Sequence, residues 1–156
     1  MAAMIEIHDL VKRYGKKLAL DGISMTVGEG EIVGFLGPNG AGKSTTMNIL
    51  TGYLSSTSGE VKIDGLDILD DPTEAKKRIG FLPEQPPLYT EMTVGEYLNF
   101  VYELKSCRLD RRAHLDEVMQ VTRVKDVRDR VIANLSKGYR QRIGIAQALV
   151  GNPKII

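Results

Sequence analysis

The sequence predicts an α/β fold that begins with an antiparallel β subdomain and continues into a helical subdomain. Residues 5–10 and 23–27 alternate apolar and polar side chains well enough for strands with one buried face. A glycine-rich segment then separates an apolar stretch, residues 31–36, from a stretch without Pro or Gly, residues 43–51. The second half contains three segments that open with helix-capping residues. These observations indicate strands first, then a strand–loop–helix unit, then helices.

Short apolar stretches predict the remaining strands. Residues 31–36 are mostly apolar, which is typical of a parallel strand buried on both faces. Residues 60–63 and 79–82 are predicted as further strands, and residues 43–51 as a helix. The polar run at 55–59 is a turn between that helix and the next strand.

Capping residues predict the helices of the second half. Thr93 and Glu96 have the spacing of a capping box, in which each side chain bonds the other residue's backbone N–H. This helix should end near Lys105. Two further helices should run from Asp110 to about Val121 and, with Ser136 as N-cap, from 137 to 150, closed by Gly151 and Pro153.

Residues 37–45, Gly-Pro-Asn-Gly-Ala-Gly-Lys-Ser-Thr, have the form of a phosphate-binding loop. Its glycines permit positive φ and leave no Cβ between the backbone N–H groups and a polyphosphate. The N-terminus of the following helix adds its dipole and free N–H groups. Lys43 should reach the β- and γ-phosphates, and the Ser44 hydroxyl should ligate Mg²⁺. The segment therefore predicts a nucleotide site.

The composition is that of a soluble globular domain. The 156 residues are 42% hydrophobic and 26% charged, with a formal net charge of +1, which gives no electrostatic footprint for nucleic acid. We see no apolar run of membrane-spanning length and no signal-peptide pattern. A single cysteine, Cys107, fits a reducing compartment. These features favour a cytoplasmic location.

Three further motifs narrow the class of nucleotide-binding protein. Tyr14 lies in Val-Lys-Arg-Tyr-Gly, Gln85 lies in Phe-Leu-Pro-Glu-Gln, and residues 135–142 read Leu-Ser-Lys-Gly-Tyr-Arg-Gln-Arg. With the phosphate loop, in this order and at these intervals, they resemble the ATP-binding subunit of an ABC (ATP-binding cassette) transporter. The resemblance covers Met4 to Ile156 and is nearest to the multidrug, sodium and gliding-type exporters.

The resemblance implies a role for each matched residue. Lys43 and Gln85 are catalytic, and Ser44 and Gln85 hold Mg²⁺, with the Gln85 amide also orienting the attacking water. Tyr14 stacks on adenine, which explains weak base discrimination. The nucleotide-binding set is Tyr14, Gly37, Asn39, Gly40, Ala41, Gly42, Lys43, Ser44, Thr45, Ser136 and Gly138.

Residues 135–142 match the signature segment of the family, and they depart from its pattern at two positions. Lys137 stands where a glycine is usual, and Tyr139 stands where a glutamine is usual, with Gln141 two residues further on. Ser136 and Gly138 remain, so the phosphate contact is expected to survive. The departure affects the contact that the fifth side chain of the motif, here Tyr139, would make.

The resemblance also implies partners. One chain cannot bring its phosphate loop and its signature helix to the same γ-phosphate, so two cassettes face each other head-to-tail and each signature binds the partner's ATP. A transmembrane permease is the second partner, which would place the subunit peripherally on the inner face of the cell membrane. In these terms residues 1–156 are a partial ATP-binding domain, with the glutamine loop and helical subdomain at about 85–135 and the signature helix at 135–150.

The last residues, 153–156, resemble the opening of the strand that in this family leads to an aspartate and then a glutamate. Neither follows here, so we expect this stretch to bind nucleotide without hydrolysing it, whereas the full-length protein is an ATPase. Two classes stay open for that protein: the motor of a membrane transporter, or a soluble ABC ATPase acting on ribosomes or nucleic acid. The short interval from Gln85 to Ser136 leaves no room for the long coiled coil of chromosome and repair ATPases, which favours the transporter.

Overall fold

The computed structural model describes residues 2–156, which divide into two compact units, one ending at Arg78 and the other formed by Ile79–Ile156. The first unit holds four strands and two helices, and the second holds three helices and two short 3₁₀ turns. In chain order the elements are β1 (Ala3–Tyr14), β2 (Lys17–Gly28), α1 (Lys43–Leu50), β3 (Ser58–Ile63), β4 (Leu66–Asp67), α2 (Pro72–Lys77), α3 (Val94–Leu104), α4 (Arg111–Val121), the 3₁₀ turns Lys125–Val127 and Ile132–Asn134, and α5 (Lys137–Leu149).

An antiparallel sheet in the order β2-β1-β3-β4 organises the first unit, as the sequence predicts. β1 is central and pairs with β2 on one side and β3 on the other. Val61 and Ile63 of β3 are buried as alternate residues of a strand, and Ile7 and Leu10 of β1 are both fully buried because the pairing of β1 shifts register between them. The predicted strands at 5–10, 23–27 and 60–63 lie within this sheet.

Helix α1 contacts the sheet through β2 and begins directly after the glycine-rich loop. Its buried positions are Thr46, Ile49 and Leu50, a spacing that places them on one face. The prediction of a helix at 43–51 is confirmed, with Thr51 as its C-cap. The sheet and α1 therefore fix the base of the loop between them.

The prediction of a buried parallel strand at 31–36 is wrong. The segment forms no strand, and Ile32 and Leu36 are 101% and 94% exposed. A parallel strand needs neighbours for its N–H and C=O groups and layers to cover both faces. Within residues 2–156 no strand lies alongside this segment, so its apolar pattern is not matched by burial.

The second unit is helical, and all three predicted helices are confirmed. α3 opens with the predicted capping box, Asp110 caps α4, and Ser136 caps α5. Gly151, with φ at +89°, follows the end of α5. The helices share a core whose fully buried members are Val94, Leu98, Val124, Ile132, Ile143, Ala146 and Val150.

The predicted strand at 79–82 is reduced to one bridge. Ile79 pairs in parallel with Ile155, and the Gly80 N–H donates to the Ile155 carbonyl at 2.7 Å. A strand needs a ladder of such pairs, and among residues 2–156 only Ile155 pairs with this segment. Across the part of the chain that the structure describes, no helix is both long enough and apolar enough to cross a bilayer.

Candidate functional site

The glycine-rich loop has a backbone that ordinary residues rarely adopt. Gly40 and Gly42 have φ of +84° and +93°. A Cβ on Gly42 would lie 2.5 Å from Leu20 Cδ2 and 2.9 Å from the Ala19 carbonyl oxygen, so only glycine fits between the loop and β2. The Ala41 N–H donates to the Pro38 carbonyl at 3.2 Å and closes a turn at the tip. The loop is thus held in one shape by sterics and by its own backbone.

The N-terminus of α1 is left without a side-chain cap. Its N-cap is Gly42, and its first turn contains no acidic residue. The Thr46 N–H and hydroxyl both donate to the Gly42 carbonyl, at 2.9 and 3.0 Å, which fixes the helix start from inside. The first N–H groups of a helix have no intrahelical acceptor, so this end presents donors and the positive end of the dipole to an anion. Ser44, in this first turn, is exposed.

Lys43 curls back over the loop that precedes it. Its Nζ donates to the Gly37 carbonyl at 2.5 Å and to the Pro38 carbonyl at 2.7 Å. Gly37 permits this close approach, because a Cβ there would lie 3.3 Å from Ala41 Cβ and 3.9 Å from Lys43 Cδ. The ammonium group therefore lies beside the same loop whose N–H groups could hold phosphates.

Tyr14 lies in the same unit, at the end of β1, and is 48% exposed. Lys12 Nζ lies 5.3 Å from the ring centroid and also donates to the Ser55 carbonyl at 2.7 Å. Lys12 thus takes one face of the ring and is itself held in place. A base would have to stack on the other face.

Gln85 belongs to the second unit, in an irregular and exposed loop. α5 supports this loop: the Gln147 amide donates to the Phe81 carbonyl at 2.7 Å, and the Gln141 amide to the Glu84 carbonyl at 3.5 Å. The contact is tight, since a Cβ on Gly144 would lie 2.7 Å from Leu82 Cδ1. The glutamine loop and the signature helix therefore form one packed assembly within the second unit.

Ser136 and Gly138 lie exposed at the N-terminus of α5. Ser136 Oγ accepts the Tyr139 N–H at 3.3 Å, and a Cβ on Gly138 would lie 3.9 Å from that Oγ. Tyr139 turns away from this end, because its hydroxyl donates to Asp126 Oδ2 at 2.8 Å; this bond raises the pKa of the Tyr139 phenol. The fifth side chain of the motif thus packs within its own unit.

The predicted residues divide between the two units. The loop at 37–45 and Tyr14 lie in the first, and Gln85, Ser136 and Gly138 lie in the second. Sequence reasoning missed the supports of these residues: Leu20 beneath Gly42, and Gln141 and Gln147 beneath the glutamine loop. The available signal was that Gln141 and Gln147 lie three residues before and three residues after Gly144, a spacing that places each beside Gly144 on the helix surface. In residues 2–156 no group of three His, Cys, Asp or Glu side chains could hold a metal ion.

Comparison with known proteins identifies the family. The sequence model of the ABC transporter family matches residues 20–156. The bacitracin transport ATP-binding protein BcrA of Bacillus licheniformis is 34% identical over 100% of this chain and 50% of its own length. The lipopolysaccharide export ATP-binding protein LptB of Haemophilus influenzae is 37% identical over 99% of this chain and 66% of its own length. The chain thus spans about half to two thirds of these relatives.

Solved structures give the same result. The ATP-binding subunit of an ABC transporter superposes with a TM-score of 0.86 at 29% identity, over 96% of this chain and 63% of that one. The dimeric cassette MJ0796, in a post-hydrolysis state bound to ADP and Pi, superposes with a TM-score of 0.83 at 30% identity, over 96% of this chain and 71% of that one. The fold is that of an ABC ATPase cassette, and the chain belongs to the ABC transporter family.

Proposed function

We propose that this chain is the nucleotide-binding part of an ATPase subunit that drives transport across a membrane through a partner permease. One observation carries the proposal. The uncapped N-terminus of α1, the positive-φ glycines and the Lys43 ammonium group converge on one short loop. Each feature can bind a polyphosphate: the helix N-terminus through its dipole, the glycine-rich backbone through its N–H donors, and Lys43 through its charge.

In this proposal the backbone of residues 37–45 cradles the phosphates. Lys43 exchanges its bonds to the Gly37 and Pro38 carbonyls for bonds to β- and γ-phosphate oxygens. Tyr14 stacks on the base through the ring face that Lys12 leaves open. The Ser44 hydroxyl, exposed at the head of α1, suits a Mg²⁺ ion, which prefers oxygen ligands and keeps several of its waters. The metal would neutralise phosphate charge.

The remaining residues act in a dimer. We propose that Ser136 and Gly138, at the exposed N-terminus of α5, contact nucleotide held by a second copy of the subunit, and that Gln85 contributes to Mg²⁺ and water at its own subunit's site. BcrA and LptB are named for transport and export, and MJ0796 is described as dimeric. These likenesses favour a transporter motor over a ribosomal or nucleic-acid ATPase, and with it a cytoplasmic position on the inner face of the membrane.

ATP-dependent thermal stabilisation of wild type and Lys43→Ala tests the proposal. At about 100 times its Kd, ATP with Mg²⁺ should stabilise the wild-type fold by roughly 2.7 kcal/mol. Lys43→Ala should lose most of this gain, because the direct charge contact to the phosphates is gone. Lys62→Ala is the matched control, since Lys62 is a partly exposed lysine on β3, paired with Glu60 at 3.0 Å. Equal stabilisation of wild type and Lys43→Ala would refute the assignment.

We also predict that residues 1–156 alone bind ATP without turning it over. Phosphate release from the purified chain tests this prediction.

A further inference from the structure

Lys105 binds the C-terminal end of the signature helix. The half-buried Lys105 is the C-cap of α3, and its Nζ donates to the Val150 carbonyl at 2.8 Å. Two carbonyls of the last turn of α5, those of Ala148 and Gln147, lie at 3.4 and 3.5 Å. The last carbonyls of a helix lack intrahelical donors and carry the negative end of the dipole, so a cation here satisfies both. Burial lowers the pKa of the Lys105 ammonium group.

His114 binds the backbone just after the same helix end. From α4, its Nε2 accepts the Gly151 N–H at 2.9 Å. An imidazole nitrogen accepts only when it carries no proton, so this contact requires neutral His114 with its proton on Nδ1. Burial lowers the pKa of His114, and Lys105 acts in the same direction, whereas Glu117 on α4 opposes them.

Cys107 and Asp110 also lie near this helix end. Cys107 Sγ lies 3.1 Å from where a Cβ on Gly151 would be, and burial raises the pKa of its thiol. Asp110 lines the same surface groove as His114 and Glu117. A cation and a neutral imidazole, supplied by two different helices, therefore hold the end of α5 between them.

We propose that Lys105 and His114 are positioning residues that clamp the C-terminal end of α5 and thereby set the direction in which Ser136 and Gly138 point at its other end. α5 has 13 residues and spans about 20 Å, so a small tilt at one end is carried to the other. The same helix supports the glutamine loop through Gln141 and Gln147. This inference rests on the proposed contact of Ser136 with a second subunit's nucleotide.

Amide hydrogen exchange at Gly151, corrected for the intrinsic rate, tests the clamp itself. In wild type, protection should fall about tenfold from pH 7.5 to about pH 5, because protonated His114 no longer accepts the bond. His114→Gln keeps an acceptor that does not titrate and should remove most of this pH dependence. His8→Gln is the matched control, since His8 is the other histidine and lies exposed on β1. A pH dependence that survives in His114→Gln would overturn the role of His114.

ATP-dependent self-association, followed by sedimentation velocity, tests the effect on Ser136. Lys105→Met keeps the apolar stem and removes the donor, and should weaken association at least about tenfold, whereas Lys105→Arg should restore it. In a Ser136→Ala background, Lys105→Met should cause no further loss. Lys62→Met is the matched control.

The outcomes separate the two ideas. If Ser136→Ala does not change association, the proposed trans contact is wrong, and the Gly151 exchange measurement still judges the clamp. If Ser136→Ala weakens association but Lys105→Met does not, or if the two losses add, the positioning role of Lys105 is overturned while the proposed function stands.

Discussion

At the scale of single residues, the shape of the phosphate loop depends on Gly42, where no side chain fits. Gly42 is both the N-cap of α1 and the point where the loop passes over Leu20 and the Ala19 carbonyl. Its φ of +93° and its contact distances each exclude a side chain. One residue therefore joins the backbone conformation of the loop to the sheet beneath it.

Gly42→Ala should destabilise the fold by about 1–3 kcal/mol, because an L-residue is strained at this φ and the new methyl group would collide with the Ala19 carbonyl. Urea unfolding followed by circular dichroism measures the change. Gly34→Ala is the control, since a Cβ there meets nothing within 4 Å and its φ is not positive. Equal effects of the two substitutions would mean that the loop shape does not depend on Gly42.

Tyr14 should contribute stacking without base specificity. Tyr14→Ala should weaken the binding of ATP and GTP alike by about 1 kcal/mol, the scale of an aromatic stack, and Tyr14→Phe should be nearly silent. Calorimetric titration with both nucleotides measures this. If Phe costs as much as Ala, the hydroxyl group is what matters and the stacking role is wrong.

At the scale of elements, the helix N-termini fall into two kinds. Side chains cap the three helices of the second unit: Thr93 for α3, Asp110 for α4 and Ser136 for α5. α1 and the six-residue α2 have no such bond; the N-cap of α1 is Gly42, so none of its first N–H groups is taken by its own N-cap side chain. At α1 all the first N–H groups are therefore left for a phosphate, whereas at α5 the Ser136 hydroxyl oxygen already accepts the Tyr139 N–H.

Thr93→Ala should destabilise the second unit by about 1 kcal/mol, because Thr93 Oγ1 accepts the Glu96 N–H at 3.2 Å and the alanine variant cannot. Thr93→Ser should keep most of the stability. The Thr93 N–H also donates to Glu96 Oε2 at 2.8 Å, and these bonds to Thr93 lower the pKa of Glu96. Alanine keeps the backbone N–H that lowers this pKa most, so the Glu96 pKa, measured by NMR titration, should rise only part of the way toward its usual value in Thr93→Ala. Unchanged stability of that variant in urea unfolding would contradict the capping role of the Thr93 side chain.

Sequence reasoning succeeded where the cause of a structure is local. Caps, glycine conformations and alternation are written in neighbouring residues, so α3, α4, α5, the antiparallel strands and the phosphate loop were all predictable. The predictions of strands at 31–36 and 79–82 failed, because a parallel strand forms only when other segments pair with it. Similarly, helix spacing shows that Gln141 and Gln147 flank Gly144, but the bond from Gln147 to the Phe81 carbonyl of the glutamine loop is a tertiary contact that this spacing does not encode.

At the scale of the whole molecule, the candidate site is divided. The phosphate loop belongs to the unit that ends at Arg78, and the signature segment belongs to the unit from Ile79. A nucleotide bound by the first unit alone should therefore protect only the amides of the phosphate loop from hydrogen exchange. A nucleotide shared with a second copy should also protect amides of that copy's signature helix. This difference makes the proposed head-to-tail arrangement measurable without a permease.

Hydrogen exchange in saturating ATP should therefore respond to protein concentration in one region only. Amides of residues 37–46 should be protected at every concentration, because each chain binds nucleotide through its own loop. Amides at 136–139 should gain protection only when the concentration is high enough for the chain to associate, since the N-terminus of α5 then meets the partner's γ-phosphate. Ser136→Ala should abolish the second effect and leave the first intact. Protection of 136–139 that is already complete in the monomer would mean that one chain supplies both contacts, and the head-to-tail arrangement would have to be abandoned.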